Sequence, residues 1–398
     1  MLSNNKTKML PMIIIVAFVS MIGPFSIDTY LPSFQSIEAD FLVSRALLSQ
    51  SIAFYMIATA ISSLFWGPLS DRIGRKYIIM GSLFLYSFAA LGCAFATDYS
   101  QFLLFRVLQG LAASGGLVAG RAMVRDVYDS NNSQRIMAYV LMLFALAPAI
   151  APIIGGWLHE LFGWRSIFYF LCAYAVIMML LSGFTIKESL QPSEKKSFHP
   201  FHVIAVYAKT LLHIRFLSIV TALGFCFGGL FIYIGGAPTI MFDFLSLGSK
   251  HFWILFIPMT AGIVAGSFLA GKLIQTWSAT KIINLAFVIM FTGMVINTIQ
   301  ANFYEIETFW VIAPIVIYAF GVALSMPGLG VMALDCFPQN KGAASAVQSF
   351  MQIMMSGLVA GVMLPVITQS VSGFALLQMI LLSISMILWT ITLVSKKE

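Results

Sequence analysis

Twelve times along this chain, about twenty residues pass with almost no charge, the length a helix needs to cross the hydrocarbon core of a bilayer. The runs lie near 10–32, 47–69, 77–96, 99–124, 134–158 and 166–186, then near 214–240, 253–275, 282–301, 308–333, 343–368 and 374–395. Lipid offers the backbone no hydrogen-bond partners, so each run is predicted to close its own bonds as a helix. A polar stretch, 187–213, divides them six and six. The predicted architecture is an all-α polytopic membrane protein, with a six-helix half over 1–186, a loop over 187–213 and a second half over 214–398. Composition requires the same solvent: 9% of residues are charged and 60% hydrophobic, against roughly 25% charged in soluble domains. The run Leu10–Ile27 follows Lys6 and Lys8 as a signal peptide would. No small-residue cleavage pattern follows it and eleven further spans do, so it is read as a retained helix.

The net charge of +7 is not a nucleic-acid signal, because the basic residues sit in short loops and build no patch. Seventeen of the 22 Lys and Arg residues fall on one side if the spans alternate, three (Arg45, Arg165, Lys250) fall on the other, and Arg106 and Arg121 lie within span 4. Positive charge stays inside, so both termini and the central loop are expected in the cytoplasm. The four cysteines make no CxxC pair and the five histidines no metal-type cluster, so no metal, disulfide framework or cofactor is expected. HExxH, GxSxG and GxxxxGK[ST] are absent; an enzyme is not expected, nor direct drive by ATP.

Between spans 2 and 3 runs Gly67-Pro68-Leu69-Ser70-Asp71-Arg72-Ile73-Gly74-Arg75-Lys76. Gly74 permits a sharp reversal. Asp71 sits among three cations and is also placed to cap a helix N-terminus. In this order over ten residues, the loop resembles the cytoplasmic signature of the major facilitator superfamily. A degraded copy, Gly271-Lys272-Leu273 and then Lys281, falls between spans 8 and 9 without the Asp-Arg pair. Leu103–Gly110, with Arg106 inside it, is similar to the family's span-4 motif. In span 5, Ala147–Gly156 resembles the antiporter motif through Pro148, Pro152, Gly155 and Gly156, with Ala147 and Ala151 in place of two glycines. Asp28-Thr29-Tyr30-Leu31-Pro32, with Arg121–Asp126 ending span 4, is similar to the Bcr/CflA group of drug:proton antiporters.

The resemblance implies the major facilitator fold, two halves rocking about a midplane site, and a switch loop of Gly67, Asp71, Arg72, Gly74, Arg75 and Asp126, with Asp126 pairing with Arg72 or Arg75. It implies a bacterial inner-membrane exporter coupled to protons, with a small-molecule substrate, lipid around it and no nucleic acid, working as a monomer. Ionisable residues at membrane depth are functional candidates by default. Asp28 is either solvated at the outer interface or, if its helix runs on to Ser36, about 10 Å below the outer end, level with Arg106. Arg106 either snorkels or faces a cavity and tunes the proton affinity of Asp28. Tyr30 and Gln109 beside them, with Phe231 and Tyr233 of the nearly uncharged second half, are candidate substrate contacts. Export of lipophilic drugs is the leading expectation; export of a specific metabolite, siderophore or amino acid stands beside it, because fold does not fix substrate.

Overall fold

The structure is a computed structural model describing residues 3–191, 200–367 and 370–394. Lys195, Lys196, His199, Lys396 and Lys397 lie outside these residues, as do the side chains of Lys6, Lys8, Arg135 and His202. Among the described residues twelve helices are long and apolar enough to cross a membrane, as the hydropathy pattern predicts.

The first span is interrupted. Helix α1 (Ser3–Asp28) stops, a single 3-10 turn (Leu31–Ser33) follows, and α2 (Phe34–Phe41) completes the crossing. The helix therefore does not run through to Ser36 as the apolar pattern suggested. Pro32 has no N–H to give the carbonyl of Asp28, four residues earlier, so the regular ladder ends there. Helices α3 (Arg45–Ile73), α4 (Arg75–Phe95), α5 (Tyr99–Val127), α6 (Ser130–Phe162) and α7 (Arg165–Thr185) follow. After a short helix, α8 (Pro200–Leu211), the second set comprises α9 (Ile214–Gly235), α10 (Trp253–Leu273), α11 (Ala279–Phe303) and α12 (Thr308–Asp335). Its last two spans are α13 (Lys341–Leu358) continued by α14 (Leu364–Ile367), and α15 (Val371–Val394).

Local chemistry sets the ends. Asp98 caps α5 by accepting from the Gln101 N–H at 2.9 Å, and His213 caps α9 by accepting from the Phe216 N–H at 3.2 Å. Gly74 holds the reversal between α3 and α4 at φ +128°, a conformation open to glycine and strained for other residues. Pro148 and Pro152 lie inside α6.

Two compact units emerge. One holds the chain up to Val43 together with Phe54–Val203; the other holds Ser44–Ala53 and everything from Ile204 on. The start of α3, assigned to the first half by its sequence position, thus groups with the second unit, where Arg45 pairs with Asp243 and Ala53 packs on Gly361. At the α2 end of the first unit, Tyr30, Phe34, Phe102, Trp164 and Phe168 form an aromatic core with ring centroids 5.1–6.4 Å apart, in tilted and edge-on arrangements that aromatic quadrupoles favour.

Candidate functional site

Asp28 is the last residue of α1 and only 3% exposed. Among the described residues its carboxylate has no hydrogen bond and no ion pair. Two residues earlier, the carbonyl of Ser26 accepts from Arg106 Nη1 at 3.1 Å, and the Ser26 hydroxyl meets the hydroxyl of Tyr86 in α4 at 2.5 Å. The end of α1 is thus tied to both α4 and α5.

Arg106 is wholly buried. Its Nη1 also donates to Gln109 Oε1 at 2.5 Å. Its guanidinium lies over the rings of Tyr30 and Tyr55, 4.8 and 4.4 Å from their centroids. A desolvated cation over two phenol faces gains roughly 2 kcal/mol or more from each well-placed ring. Snorkelling is excluded by this packing, and the direct contact the matched depths suggested is not made here: Arg106 and Asp28 form no ion pair among the described residues. Arg106 Nε and Nη2 and Gln109 Nε2 are buried donors without an acceptor. Three unmet donors in one pocket are costly in an apolar interior, and they can receive an anionic or carbonyl oxygen.

The antiporter stretch meets the same break. A Cβ on Gly155 would overlap the carbonyl of Thr29, with the Thr29 carbonyl carbon at 2.6 Å and its Cα at 2.8 Å. Only glycine lets α6 come this close to the residue after Asp28. Ala147 and Ala151, where the resembled motif has glycine, are fully buried.

At the opposite end of the unit, Arg75 Nε donates to Asp126 at 3.0 Å and its Nη1 to Ser70 at 2.5 Å and to Asp71. Of the two pairings open to Asp126 the structure takes Arg75; Arg72 is exposed and pairs with no carboxylate among the described residues. Asp71 is not the cap of α4. Glu188 is: its carboxylate accepts from the N–H groups of Arg75 at 2.9 Å and Lys76 at 3.1 Å. Ser189 donates to Asp126 at 3.1 Å, and Lys76 Nζ to the Gly183 carbonyl at 2.7 Å. The chain leaving α7 therefore clasps the signature loop. Nothing in the composition of a charged linker singled out Glu188.

The second unit is less bland than its sequence implied. Asn297 of α11 donates to the Tyr233 hydroxyl at 2.5 Å and to Gln378 of α15 at 3.0 Å, and Tyr233 donates to Gln378 at 3.2 Å. All three are buried, and nearby in α11 Gln300 has both amide atoms buried without a partner. Phe231 is also buried, beside Phe227. The candidate contacts Tyr30 and Gln109 come together on Arg106; Phe231 and Tyr233 belong to the second unit.

The model of the Major Facilitator Superfamily matches residues 13–360. The chain is 28% identical over 295 residues to a bicyclomycin resistance protein homolog of Haemophilus influenzae, covering 73% of each. It is 26% identical over 352 residues to the chloramphenicol resistance protein CraA of Acinetobacter baumannii, covering 87% of this chain and 83% of that one. It is 26% identical over 337 residues to the multidrug resistance protein MdtL of Citrobacter koseri, covering 84% of each. Its fold is that of a solved D-xylose–proton symporter, with a TM-score of 0.77, 14% identity and coverage of 96% and 97%. An interrupted first span, a buried arginine in span 4, a signature loop closed by its own ion pairs and these likenesses lead to one conclusion: this is a transport protein and not an enzyme, and it belongs to the Major Facilitator Superfamily among relatives of the Bcr/CflA drug-efflux type.

Proposed function

We propose that the chain is a proton-coupled antiporter that exports small lipophilic compounds across the bacterial cytoplasmic membrane by alternating access, with both termini in the cytoplasm. The observation that carries this reading is Asp28: a carboxylate 3% exposed, unpaired, at a break in a membrane helix. A charge in such a place is expensive and calls for a function. Asp28 takes a proton from outside and gives it up inside. Arg106, held by Ser26, Gln109 and the two tyrosine rings, keeps two donors in reserve for the ionised carboxylate or for a substrate oxygen. The proton is the coupling ion, and no cofactor takes part. The relatives' names, which record resistance to bicyclomycin, chloramphenicol and multiple drugs, support a drug-type substrate.

The test is Asp28→Asn in energised everted vesicles. The variant keeps its folded yield and loses proton-driven efflux, while exchange of substrate down its own gradient persists. Wild-type efflux at full uncoupler sensitivity would sink the mechanism.

A further inference from the structure

Arg121 lies in α5, six residues inside its end at Val127. At 3.6 residues per turn it falls about 60° from Val118 on one side and about 60° from Val124 on the other. Val118 rests against Gly67 of α3, and Val124 is in the buried cluster with Val16 of α1 and Val140 of α6. Arg121 therefore projects from the strip of α5 between its α3 and α6 contacts. Its Nε is sealed from solvent and has no acceptor. Neither Arg121 nor Arg125, one turn further, pairs with a carboxylate among the described residues. The adjacent acid, Asp126, is already held by Arg75 and Ser189.

Away from the ends of the spans, the described membrane interior thus holds two cations, Arg106 and Arg121, against one carboxylate, Asp28. Its net charge is positive when Asp28 is ionised, and more so when it is protonated. A guanidinium with an unmet buried donor is best satisfied by an oxyanion that its fork can grip with two oxygens. A second cation near it meets repulsion that low dielectric amplifies.

Resting on the transport reading above, we propose that Arg121, flanked by Arg125, sets the substrate class. The transporter takes lipophilic molecules that are anionic or uncharged, binds the oxyanion of an anionic one at Arg121, and turns away permanent cations. At an effective dielectric near 20, attraction and repulsion between unit charges about 9 Å apart differ by more than a hundredfold in binding, so a preference of about tenfold or more survives partial screening.

The probes are three compounds on one scaffold: 4-phenylbutanesulfonate, 4-phenylbutanamide and (4-phenylbutyl)trimethylammonium. Each is titrated into purified protein as a thermal-stability ligand and offered to energised everted vesicles. The sulfonate is expected to bind at least about tenfold tighter than the ammonium, with the amide between. Arg121→Gln, which removes the charge but leaves a planar polar group, is expected to bring sulfonate and ammonium to within about threefold while leaving the amide where it was. Equal binding of all three by the wild type, or an unchanged order in Arg121→Gln, overturns the assignment. A preference seen only in vesicles of anionic lipid and absent from purely zwitterionic ones assigns the arginines to headgroups and also overturns it. Retained binding preference with no energised transport of any probe strikes the transport reading instead and leaves the charge selection standing.

Discussion

Gly155→Ala is the smallest change that reaches the proposed proton site without touching it. The added methyl would stand on the Thr29 backbone, with carbonyl carbon and Cα at 2.6 and 2.8 Å where ordinary contact starts at 3.4 Å and the carbonyl oxygen closer still, so the α1 break must retreat by about 0.8 Å or more. Overpacking of this kind costs about 1–3 kcal/mol of stability. The functional cost is larger. Thr29 adjoins Asp28, and misplacing a reacting group by about 1 Å can lower a rate by about a hundredfold. Proton-driven efflux from Gly155→Ala vesicles is expected to fall by about tenfold to a hundredfold at normal membrane yield, with a lower unfolding midpoint in detergent. Gly23→Ala is the control: it lies in α1, and a Cβ there meets nothing within 4 Å. That variant gains about 0.5–1 kcal/mol of helix propensity and keeps full transport. Wild-type efflux and midpoint in Gly155→Ala would refute the idea that this contact positions Asp28.

Arg106→Lys keeps the charge but gives up the flat stack between Tyr30 and Tyr55 and the paired bonds to Ser26 and Gln109; efflux is expected to drop at least about tenfold, and a fully active lysine variant would show that charge alone suffices. Asn297→Leu strips donors from the Tyr233 hydroxyl and Gln378, which should cost about 1–3 kcal/mol, read as an earlier midpoint in a detergent melt; an unmoved midpoint contradicts it. Glu188→Ala removes the acceptor for the first two N–H groups of α4, a cap worth about 0.5–2 kcal/mol. Hydrogen exchange at Arg75 and Lys76 should quicken, and exchange at the wild-type rate would mean that the clasp does not hold the loop.

The spans were legible because lipid permits little else: a run of the right length and polarity has to be a helix. The signature loop was legible because Gly74 and the charges around it are local and ordered. The partner of Arg106 was not. Charge matching pointed to Asp28, yet the arginine is served by a carbonyl, an amide and two rings, partners too common in a sequence to stand out. The break at Asp28 had a visible sign in Pro32, but the apolar face continuing through Phe34 and Ile37 read as an unbroken helix. Asn297 and Gln378 are single amides in separate runs, and nothing in one dimension says that α11 and α15 bring them together. Glu188 is one acid in a charged linker, and its role depends on where α7 ends.

The neutrality of the Tyr233–Asn297–Gln378 cluster has an electrical consequence. A charge carried through the full field across a membrane exchanges about 2.3 kcal/mol per 100 mV, whereas a neutral amide or phenol exchanges almost nothing. In the second unit the described charges keep to the helix ends, while Asp28, Arg106 and the half-buried Arg121 lie within the spans of the first. Membrane voltage therefore does its work on the first six spans and leaves the last six nearly indifferent to it.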